Sequence, residues 1–545
     1  MATALHATIL ALQDSTPIEP INDDMARSIN APLGLVGVCL SGGGSRALSC
    51  AMGQLRALHH LQVIDQVFAI SSVSGGTWAA SAYTYLPSAI SDDDFLGLAV
   101  LNPAQLTVFG SNQFALDYLP PGNLGQVPTR LGLFRDLDEI FRLYEEWGYP
   151  INDLWQGLIG EAVLKPFGLW NPDPSSHYDP HFFTYTENFL KAGSGPLARN
   201  PSLTRKRFYT TRPGRPFQVM NTAMFTDDSM SADLLPFEAN FSLGVRQRFP
   251  LDQSSTIGGG FVESFAMNTQ FVKDVKPGEV LVNSAARPFT LTDIVGLSSA
   301  AFAQELEEQY PDLEGLVPRY DYWPIAHRKT VPTRKARFAD GGSLENLGVN
   351  VMLARGIARL LVFVNTDEAV QMVGNDIVVS GDIPPLFGLQ PWTAGQGYVP
   401  FAQDKGRGSV RLFRHNQVFA SGDFAALQQL LWKAKASTGP VIARQSLNVL
   451  PNDWYGIAGN TTVDVLWVHN DQVPAFWNQL SDAVKLAIDW DGSDAFPLYN
   501  TFTQLELPKV AVNALAHLSC WNLAADWCAP GSTVSNADRV RAMFS

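Results

Sequence analysis

The sequence has little of what builds disulfide scaffolds and metal sites. Its 545 residues include four cysteines, Cys39, Cys50, Cys520 and Cys528, and nine histidines scattered along the chain. Four cysteines are too few for a disulfide framework, so we expect reduced thiols, although Cys520 and Cys528 are close enough in sequence to form a bridge. No C-x-x-C pair and no EF-hand loop occurs, and we therefore expect no metal site and no cofactor.

Long apolar runs and an excess of positive charge are also missing. No stretch of about 18 uncharged apolar residues occurs, which argues against a membrane-spanning helix. Lys and Arg number 38 against 52 Asp and Glu, a formal net charge of −14, and this sign argues against nucleic acid as a partner. The first residues, "MATALHATILALQDSTP", lack a basic region ahead of their apolar stretch and do not predict a signal peptide. We expect a cytoplasmic protein.

What is present is an alternation of short buried strands with helices. "LGLVGVCL" and "VFAISS" are continuous apolar runs, and each is followed by a glycine turn and a helical pattern. "TRKARFADGG" is predicted as a strand that ends in a glycine turn, and "IARLLVFVNT" and "TVDVLWVH" as further buried strands. Strand, turn and helix in this order predict an α/β fold, a three-layer α/β/α sandwich around a mainly parallel central sheet.

The chain divides into an arm and one domain. Residues 1–30 contain polar residues and proline and are predicted to be a flexible N-terminal arm, and residues 31–545 a single domain. Within it, residues from about 87 to 330 have a mixed composition rich in Pro, Gly and aromatic residues, which predicts insertions and a large cap or lid over the sheet.

The turn "SSVSGGTW" resembles the nucleophile elbow of serine hydrolases. Ser74 lies where a strand meets a helix, and small residues, Ser72 and Gly76, stand two positions before and after it. The G-x-S-x-G elbow needs small residues there because the serine backbone is sharply bent. Serine beside glycine is also common in ordinary turns, so the motif alone is a weak indication of catalysis.

The first turn, "CLSGGGSRALSC", has two interpretations. Three consecutive glycines let a ligand come close to the backbone, as in a phosphate cradle or in the oxyanion hole of an acyl-transfer enzyme. A phosphate loop would read G-x-x-x-x-G-K-[ST], and no lysine follows here. We therefore predict that the amides of Gly42, Gly43 and Gly44 donate hydrogen bonds to an oxyanion. They lie at the positive end of the helix that follows.

The third turn, "FADGGSLENLGV", places Asp340 at the carboxyl end of a predicted strand. Its ordinary role would be to cap a helix. Three glycine turns at strand ends, carrying oxyanion donors, a serine and a carboxylate, instead indicate one site, because ligand sites of open α/β sheets lie at those ends.

Together, "SGGGSRAL", "SVSGGTW" and "ADGGSLENLGV" resemble the catalytic domain of the cytosolic phospholipase A2 and lysophospholipase family and, more distantly, the patatins. Weaker similarities to the family extend from about Gly34 to Ala525; they are "INDLWQGLIG", "PFQVMNTAMF", "PFEANFSLGV", "GLSSAAFA" and "FPLYNTF". The resemblance implies a hydrolase of fatty-acyl esters of phospholipids or lysophospholipids that works through an acyl-serine and a Ser–Asp dyad.

Carried onto this sequence, the resemblance makes Ser74 the nucleophile, Asp340 its base, and the amides of Gly43 and Gly44 the oxyanion hole. It gives Arg46 the substrate phosphate, whereas the alternative role of Arg46 is an ion pair that holds the glycine loop. Ser72 departs from the glycine usual in the family. No calcium-binding C2 domain is recognised before residue 31, so we expect calcium-independent activity, with transient contact to a membrane or micelle surface that carries the substrate.

Two alternatives remain open at this stage. His469, in "LWVHNDQ", follows a predicted strand late in the chain and would complete a Ser–Asp–His triad of the α/β-hydrolase type. A non-catalytic lipid-binding relative that keeps the fold is the other possibility.

Overall fold

The structure, a computed structural model, describes most of the chain. The described residues are 4–12, 35–135, 140, 142, 144–145, 148–173, 178–227, 232–251, 255–284, 287–309, 315–490 and 492–545. The strands are β1 Ala4–Ala11, β2 Val36–Leu40, β3 Val67–Val73, β4 Phe182–Thr184, β5 Phe208–Thr210, β6 Phe217–Phe225, β7 Leu234–Ala239, β8 Ser242–Pro250, β9 Thr256–Glu263, β10 Gln270–Lys276, β11 Glu279–Asn283, β12 Arg319–Tyr322, β13 Arg334–Asp340, β14 Arg359–Val364, β15 Gln371–Val373, β16 Asp376–Val378, β17 Val441–Val449 and β18 Thr461–His469.

The described α-helices stand between and beyond these strands. They are α1 Gly44–His60, α2 Gly75–Thr84, α3 Asp92–Leu96, α4 Ile151–Ile159, α5 Glu187–Lys191, α6 Pro196–Arg199, α7 Leu291–Ser298, α8 Ala301–Gln309, α9 Asn350–Leu353, α10 Phe424–Ala436, α11 Pro474–Trp477, α12 Asp482–Ile488, α13 Lys509–Ala524 and α14 Asn536–Arg541.

A single mixed sheet of 14 strands organises the fold. Its order is β10-β11-β1-β9-β8-β7-β6-β3-β2-β14-β18-β17, and β13 joins β6 and carries β12. Among the described pairings within this sheet, β6–β3, β3–β2, β2–β14 and β14–β18 are parallel, and the others are antiparallel. The prediction of an α/β fold is confirmed, but the sheet is mixed rather than mainly parallel. Short connections from β6 to β9 favour antiparallel hairpins, since parallel neighbours need long crossovers.

The parallel strands are buried on both faces, as their continuous apolar runs predicted. Along β14, Leu361 and Phe363 belong to one apolar cluster, whereas Leu360, Val362 and Val364 belong to a second. Successive side chains of a strand point to opposite faces, so the two clusters lie on opposite sides of the sheet. Helices α1 and α13 pack together in the first cluster, and α10 contributes to the second.

The N-terminal segment differs from its prediction. Residues 4–11, assigned to a flexible arm, form β1, which pairs antiparallel with β11 and β9 inside the sheet. Leu5, Ala7 and Ile9 are buried in alternation with more exposed neighbours, which is the period of a half-buried strand. Residues 13–34 lie outside the described part of the chain. The prediction of a flexible arm is therefore wrong for residues 4–11.

The segment predicted as insertions and cap also supplies part of the sheet. Residues 217–283 contain β6 to β11, all of which pair within the 14-stranded sheet. The prediction that the whole stretch from 87 to 330 forms insertions and a cap is therefore wrong for these strands. The domain boundaries themselves stay a prediction.

The cysteines agree with the expectation of reduced thiols. All four cysteines are free thiols, three of them buried and Cys528 exposed. Within the described residues, no helix is both long and apolar enough to cross a bilayer.

Candidate active site

Ser74 occupies a sharp elbow between β3 and α2. Its backbone lies at φ 48° and ψ −122°, a positive φ that side-chain-bearing residues rarely adopt. The chain can bend so tightly only because its neighbours are glycines: a Cβ on Gly75 would lie 2.1 Å from the Gly44 carbonyl oxygen, and a Cβ on Gly76 would lie 2.4 Å from that of Leu40. The elbow predicted from the sequence is thus present in the backbone.

Hydrogen bonds from α7 hold this strained elbow. The Ser74 amide donates to the backbone oxygen of Ser298 at 3.0 Å and lies 3.1 Å from its Oγ. The Ser298 hydroxyl in turn donates to the Asn221 carbonyl at 2.6 Å and lies 2.8 Å from Thr77 Oγ1. Because these groups are buried, the elbow has few ways to relax.

Asp340 is brought to the Ser74 side chain, although the two are far apart in sequence. It ends β13 and lines the same cavity as Ser74, and its carboxylate accepts hydrogen bonds from the amides of Gly342, at 2.6 Å, and Ala301, at 3.4 Å. Burial nevertheless dominates and raises the pKa of Asp340 to about 6, because the charged form is poorly solvated. At pH 7 the carboxyl is ionised and more basic than an exposed aspartate.

The glycine turn brings unoccupied backbone donors beside Ser74. Gly43 and Gly44 have φ values of 128° and 54°, and neither amide donates a hydrogen bond within the described part of the chain. A Cβ on Gly43 would lie 2.7 Å from Arg46 Nη2, and one on Gly44 would lie 3.1 Å from the Thr501 side chain. The turn therefore excludes side chains, and both amides stand at the start of α1, where the helix dipole adds positive potential.

Arg46 combines features of both predicted roles. Its side chain is 6% exposed, Nε donates to the Asn365 carbonyl at 3.0 Å, and Nη1 donates to the Tyr499 carbonyl. Nη1 also lies 3.6 Å from an Asp367 carboxylate oxygen. These contacts fasten the glycine loop to neighbouring segments, yet Arg46 also lines the cavity in front of Ser74.

A cavity of about 290 Å³ joins the three turns. The sequence-predicted residues Gly43, Gly44, Arg46, Ser74 and Asp340 all line it. The remaining lining residues were not predicted from the sequence: Ala301, Phe302, Gly342, Ser343, Asn346, Thr366, Asp367, Glu368, Ser380, Asp382, Thr501 and Phe502.

Asn346 ties the first and third turns together. Its carbonyl accepts from the Gly42 amide at 3.1 Å, and its Nδ2 donates to Asp382 at 2.8 Å. A Cβ on Gly42 or on Gly342 would lie 2.3 Å or 2.6 Å from Asn346 Oδ1. Asn346 lies within the motif "ADGGSLENLGV", and Thr501 and Phe502 lie within "FPLYNTF". Both motifs contribute to the family resemblance, so these three residues could have been predicted as site residues from the sequence.

His469 is not brought to Ser74. It ends β18 and is buried; Nδ1 lies 2.9 Å from the Asn470 carbonyl, and Nε2 lies 3.5 Å from the Ser380 amide. Burial lowers the pKa of His469. No histidine is among the described residues that line the cavity, so the geometry does not support the Ser–Asp–His alternative.

The fold and this site describe a mixed α/β protein with a serine and a carboxylate facing backbone donors in one cavity. No family model matches the chain. Human cytosolic phospholipase A2 beta is 31% identical over 169 residues, which are 30% of this chain and 18% of that protein. The predicted resemblance to cytosolic phospholipase A2 is thereby confirmed.

Solved structures of human GIVD cytosolic phospholipase A2 align with 95% of the chain. One has a TM-score of 0.43 at 13% identity, and this chain covers 62% of it. A second, bound to methyl gamma-linolenyl fluorophosphonate and terbium chloride, has a TM-score of 0.39 at 14% identity, with 61% covered. The chain thus spans less than two thirds of the proteins it matches.

Proposed function

We propose that this protein is a serine acyl hydrolase that cleaves fatty-acyl esters of phospholipids or lysophospholipids through a Ser74–Asp340 dyad. The observation that carries the proposal is that the strained Ser74 and the buried Asp340 carboxylate line one cavity together with the two glycines whose amides are free to donate. The relatives named above are phospholipases, and this agrees with the reaction class that the geometry favours.

In the first half of the reaction, Ser74 Oγ attacks the acyl carbonyl carbon while Asp340 accepts the hydroxyl proton. The negative charge that develops on the carbonyl oxygen is stabilised by the amides of Gly43 and Gly44, which are positioned before the reaction starts. When the tetrahedral intermediate collapses, the C–O bond to the alcohol breaks, and Asp340 returns the proton to the leaving oxygen.

In the second half, water takes the place of the alcohol. Asp340 accepts a proton from water as the water oxygen attacks the acyl-serine, the same amides stabilise the second oxyanion, and Ser74 leaves with the proton from Asp340. A pKa of about 6 suits both tasks, since the carboxyl is ionised at pH 7 yet is a better base than an ordinary aspartate.

The remaining features of the proposal concern the surroundings of the dyad. Helices on both faces of the parallel strands fit a three-layer α/β/α sandwich, and parts of residues 87–330 outside the sheet fit a cap. We expect cytoplasmic action with transient contact to a membrane or micelle, because the substrate resides there. Catalysis by serine, carboxylate and backbone amides requires no calcium.

Substitution of Ser74 tests the proposal. Ser74→Ala removes a single hydroxyl, so the fold is expected to stay intact, while hydrolysis of lysophospholipid and of a p-nitrophenyl acyl ester is expected to fall by several orders of magnitude. Ser88→Ala, at an exposed serine, is the control with full activity. Retention of more than about a tenth of the activity by Ser74→Ala overturns the assignment. A wild-type protein that binds lipid but hydrolyses none of these esters supports the non-catalytic alternative instead.

A further inference from the structure

Arg56 is a buried cation without a counter-charge. It lies on α1 and is 4% exposed, and no carboxylate among the described residues forms an ion pair with its guanidinium. Burial lowers the pKa of Arg56, because the charged form is poorly solvated there. Arg246, which is equally buried, is instead paired with Glu238 at 3.1 Å. An isolated buried charge is costly, and a bound anion would remove that cost.

His517, on α13, places a second donor beside Arg56. Arg56 Nη1 lies 3.2 Å from His517 Nδ1. Since an arginine side chain can only donate, Nδ1 accepts this hydrogen bond, and the ring proton of the neutral imidazole is therefore on Nε2. Burial, together with the nearby guanidinium, lowers the pKa of His517 well below its ordinary value. The ring is thus neutral at pH 7 and offers Nε2–H as a donor.

Both side chains line a cavity of about 220 Å³ that shares no lining residue with the cavity at Ser74. Arg56 Nε donates to the Leu96 carbonyl at 2.8 Å, whereas Nη2 of Arg56 and Nε2 of His517 donate no hydrogen bond within the described part of the chain. Gly97 keeps the space beside the guanidinium open, since its φ is 76° and a Cβ there would lie 3.0 Å from Nη2. Two donors without acceptors thus meet at one cavity, which is the arrangement that an anionic oxygen requires.

The rest of the wall limits the charge of that anion. The side-chain amides of Asn123 and Asn513 are directed away from a ligand, because each Nδ2 donates to a backbone carbonyl, at 3.0 Å and 2.8 Å. Arg56 is the one cationic side chain among the described residues that line the cavity, and the exposed carboxylates of Asp93 and Asp94 line it nearer to the solvent. A single negative charge is matched by Arg56, whereas a second one is repelled by the two aspartates.

We propose that this cavity binds a small organic monocarboxylate, whose oxygens accept hydrogen bonds from Arg56 Nη2 and His517 Nε2. The cavity is much larger than one water molecule, so it has room for a short apolar chain beside Leu98 and Pro120, which also line it. The site is distinct from the proposed active site. Arg56 follows Arg46 by ten residues on α1, which is about 15 Å along the helix axis at 1.5 Å per residue.

Equilibrium dialysis of the whole protein against radiolabelled butyrate tests the inference. The buffer is low in chloride and is kept at pH 7 and constant ionic strength, and we expect one saturable butyrate per chain. Unlabelled acetate should displace the label. Doubly charged succinate and sulfate, and chloride, which has no organic part, should each require at least about tenfold higher concentrations than unlabelled butyrate to do so.

Variants show which residues hold the ligand. Arg56→Met removes the guanidinium at similar side-chain length and should weaken butyrate binding at least about tenfold, and His517→Leu should weaken it by a smaller factor. Arg46→Lys, in the cavity at Ser74, is the matched control and should leave the affinity for butyrate unchanged. Asp93→Asn alters an exposed side chain, so it is expected to fold normally, and it should make succinate a better competitor by about threefold.

The outcomes decide the inference without reference to ester hydrolysis. A wild type without saturable butyrate binding, or one from which chloride displaces butyrate as well as acetate does, overturns the carboxylate site. Binding that Arg46→Lys removes while Arg56→Met keeps it assigns the butyrate to the cavity at Ser74 and also overturns the inference. If the two core variants do not fold, Asp93→Asn decides: improved competition by succinate supports the site, and unchanged competition overturns it.

Discussion

Replacing Asp340 with asparagine should inactivate the protein and stabilise it at neutral pH. The folded pKa of Asp340 is about 6 against an ordinary value of 3.8, because the carboxyl is buried. In the unfolded chain the group ionises near 3.8, so its contribution to stability is full below that pH and is lost as the pH rises through 6. A difference of about two pKa units corresponds to about 3 kcal/mol.

The assay follows the free energy of unfolding of wild type and Asp340→Asn by urea denaturation between pH 4 and pH 8. The asparagine side chain does not ionise, so its stability relative to wild type should increase by about 2 kcal/mol over this range. Ester hydrolysis at pH 7 should fall by about 10²–10⁴-fold, because the amide cannot accept the serine proton. If the stability of Asp340→Asn relative to wild type stays flat or decreases with pH, the raised pKa of a buried Asp340 carboxyl is refuted. Full activity of this variant refutes the role of Asp340 as the base.

Three further expectations concern Arg46, β1 and calcium. Arg46→Lys should lower kcat/KM on phosphatidylcholine about tenfold more than on a p-nitrophenyl ester, because lysine lacks the planar fork; equal losses on both substrates would indicate that Arg46 only holds the loop. Ile9→Ala should lower the free energy of unfolding in urea by about 2–4 kcal/mol, and Leu10→Ala, at a half-buried position of the same strand, should lower it by less. If neither substitution changes the stability, the prediction of a flexible arm is supported instead. Chelation by EDTA should leave hydrolysis of a monomeric ester unchanged, and loss that calcium reverses would contradict a metal-free reaction.

The glycine turns could be predicted because their cause is local. Gly75 and Gly76 are required by carbonyl oxygens 2.1 Å and 2.4 Å from where a Cβ would stand, and Ser74 between strand and helix completes a pattern that is visible in the sequence. The carboxyl ends of neighbouring strands then bring the turns together, as the rule for open sheets predicts. Ser74 and Asp340 could be predicted as partners because each lies at the end of a strand that is recognisable in the sequence.

The rest depended on tertiary contacts. β1 is short and far in sequence from its partners β9 and β11, so its alternating pattern was indistinguishable from an arm until those strands were placed. The antiparallel half of the sheet lay within a stretch whose mixed composition favoured a cap. Asp367 and Glu368 lie three and four residues after β14, beyond the carboxyl end of a parallel strand beside β2, and this position could have indicated them. Asp382 comes from a loop that carries no such signal.

Covalent labelling tests the central claim most directly. A long-chain fluorophosphonate transfers its phosphonyl group only to an activated serine, displacing fluoride, and the modified residue is identified by mass spectrometry of the digested protein. The dyad predicts one adduct, on Ser74, formed in step with the loss of ester hydrolysis and absent from Ser74→Ala and strongly slowed in Asp340→Asn. Complete inactivation with the adduct on a different serine, or an active wild type whose Ser74 remains unmodified, would contradict the account.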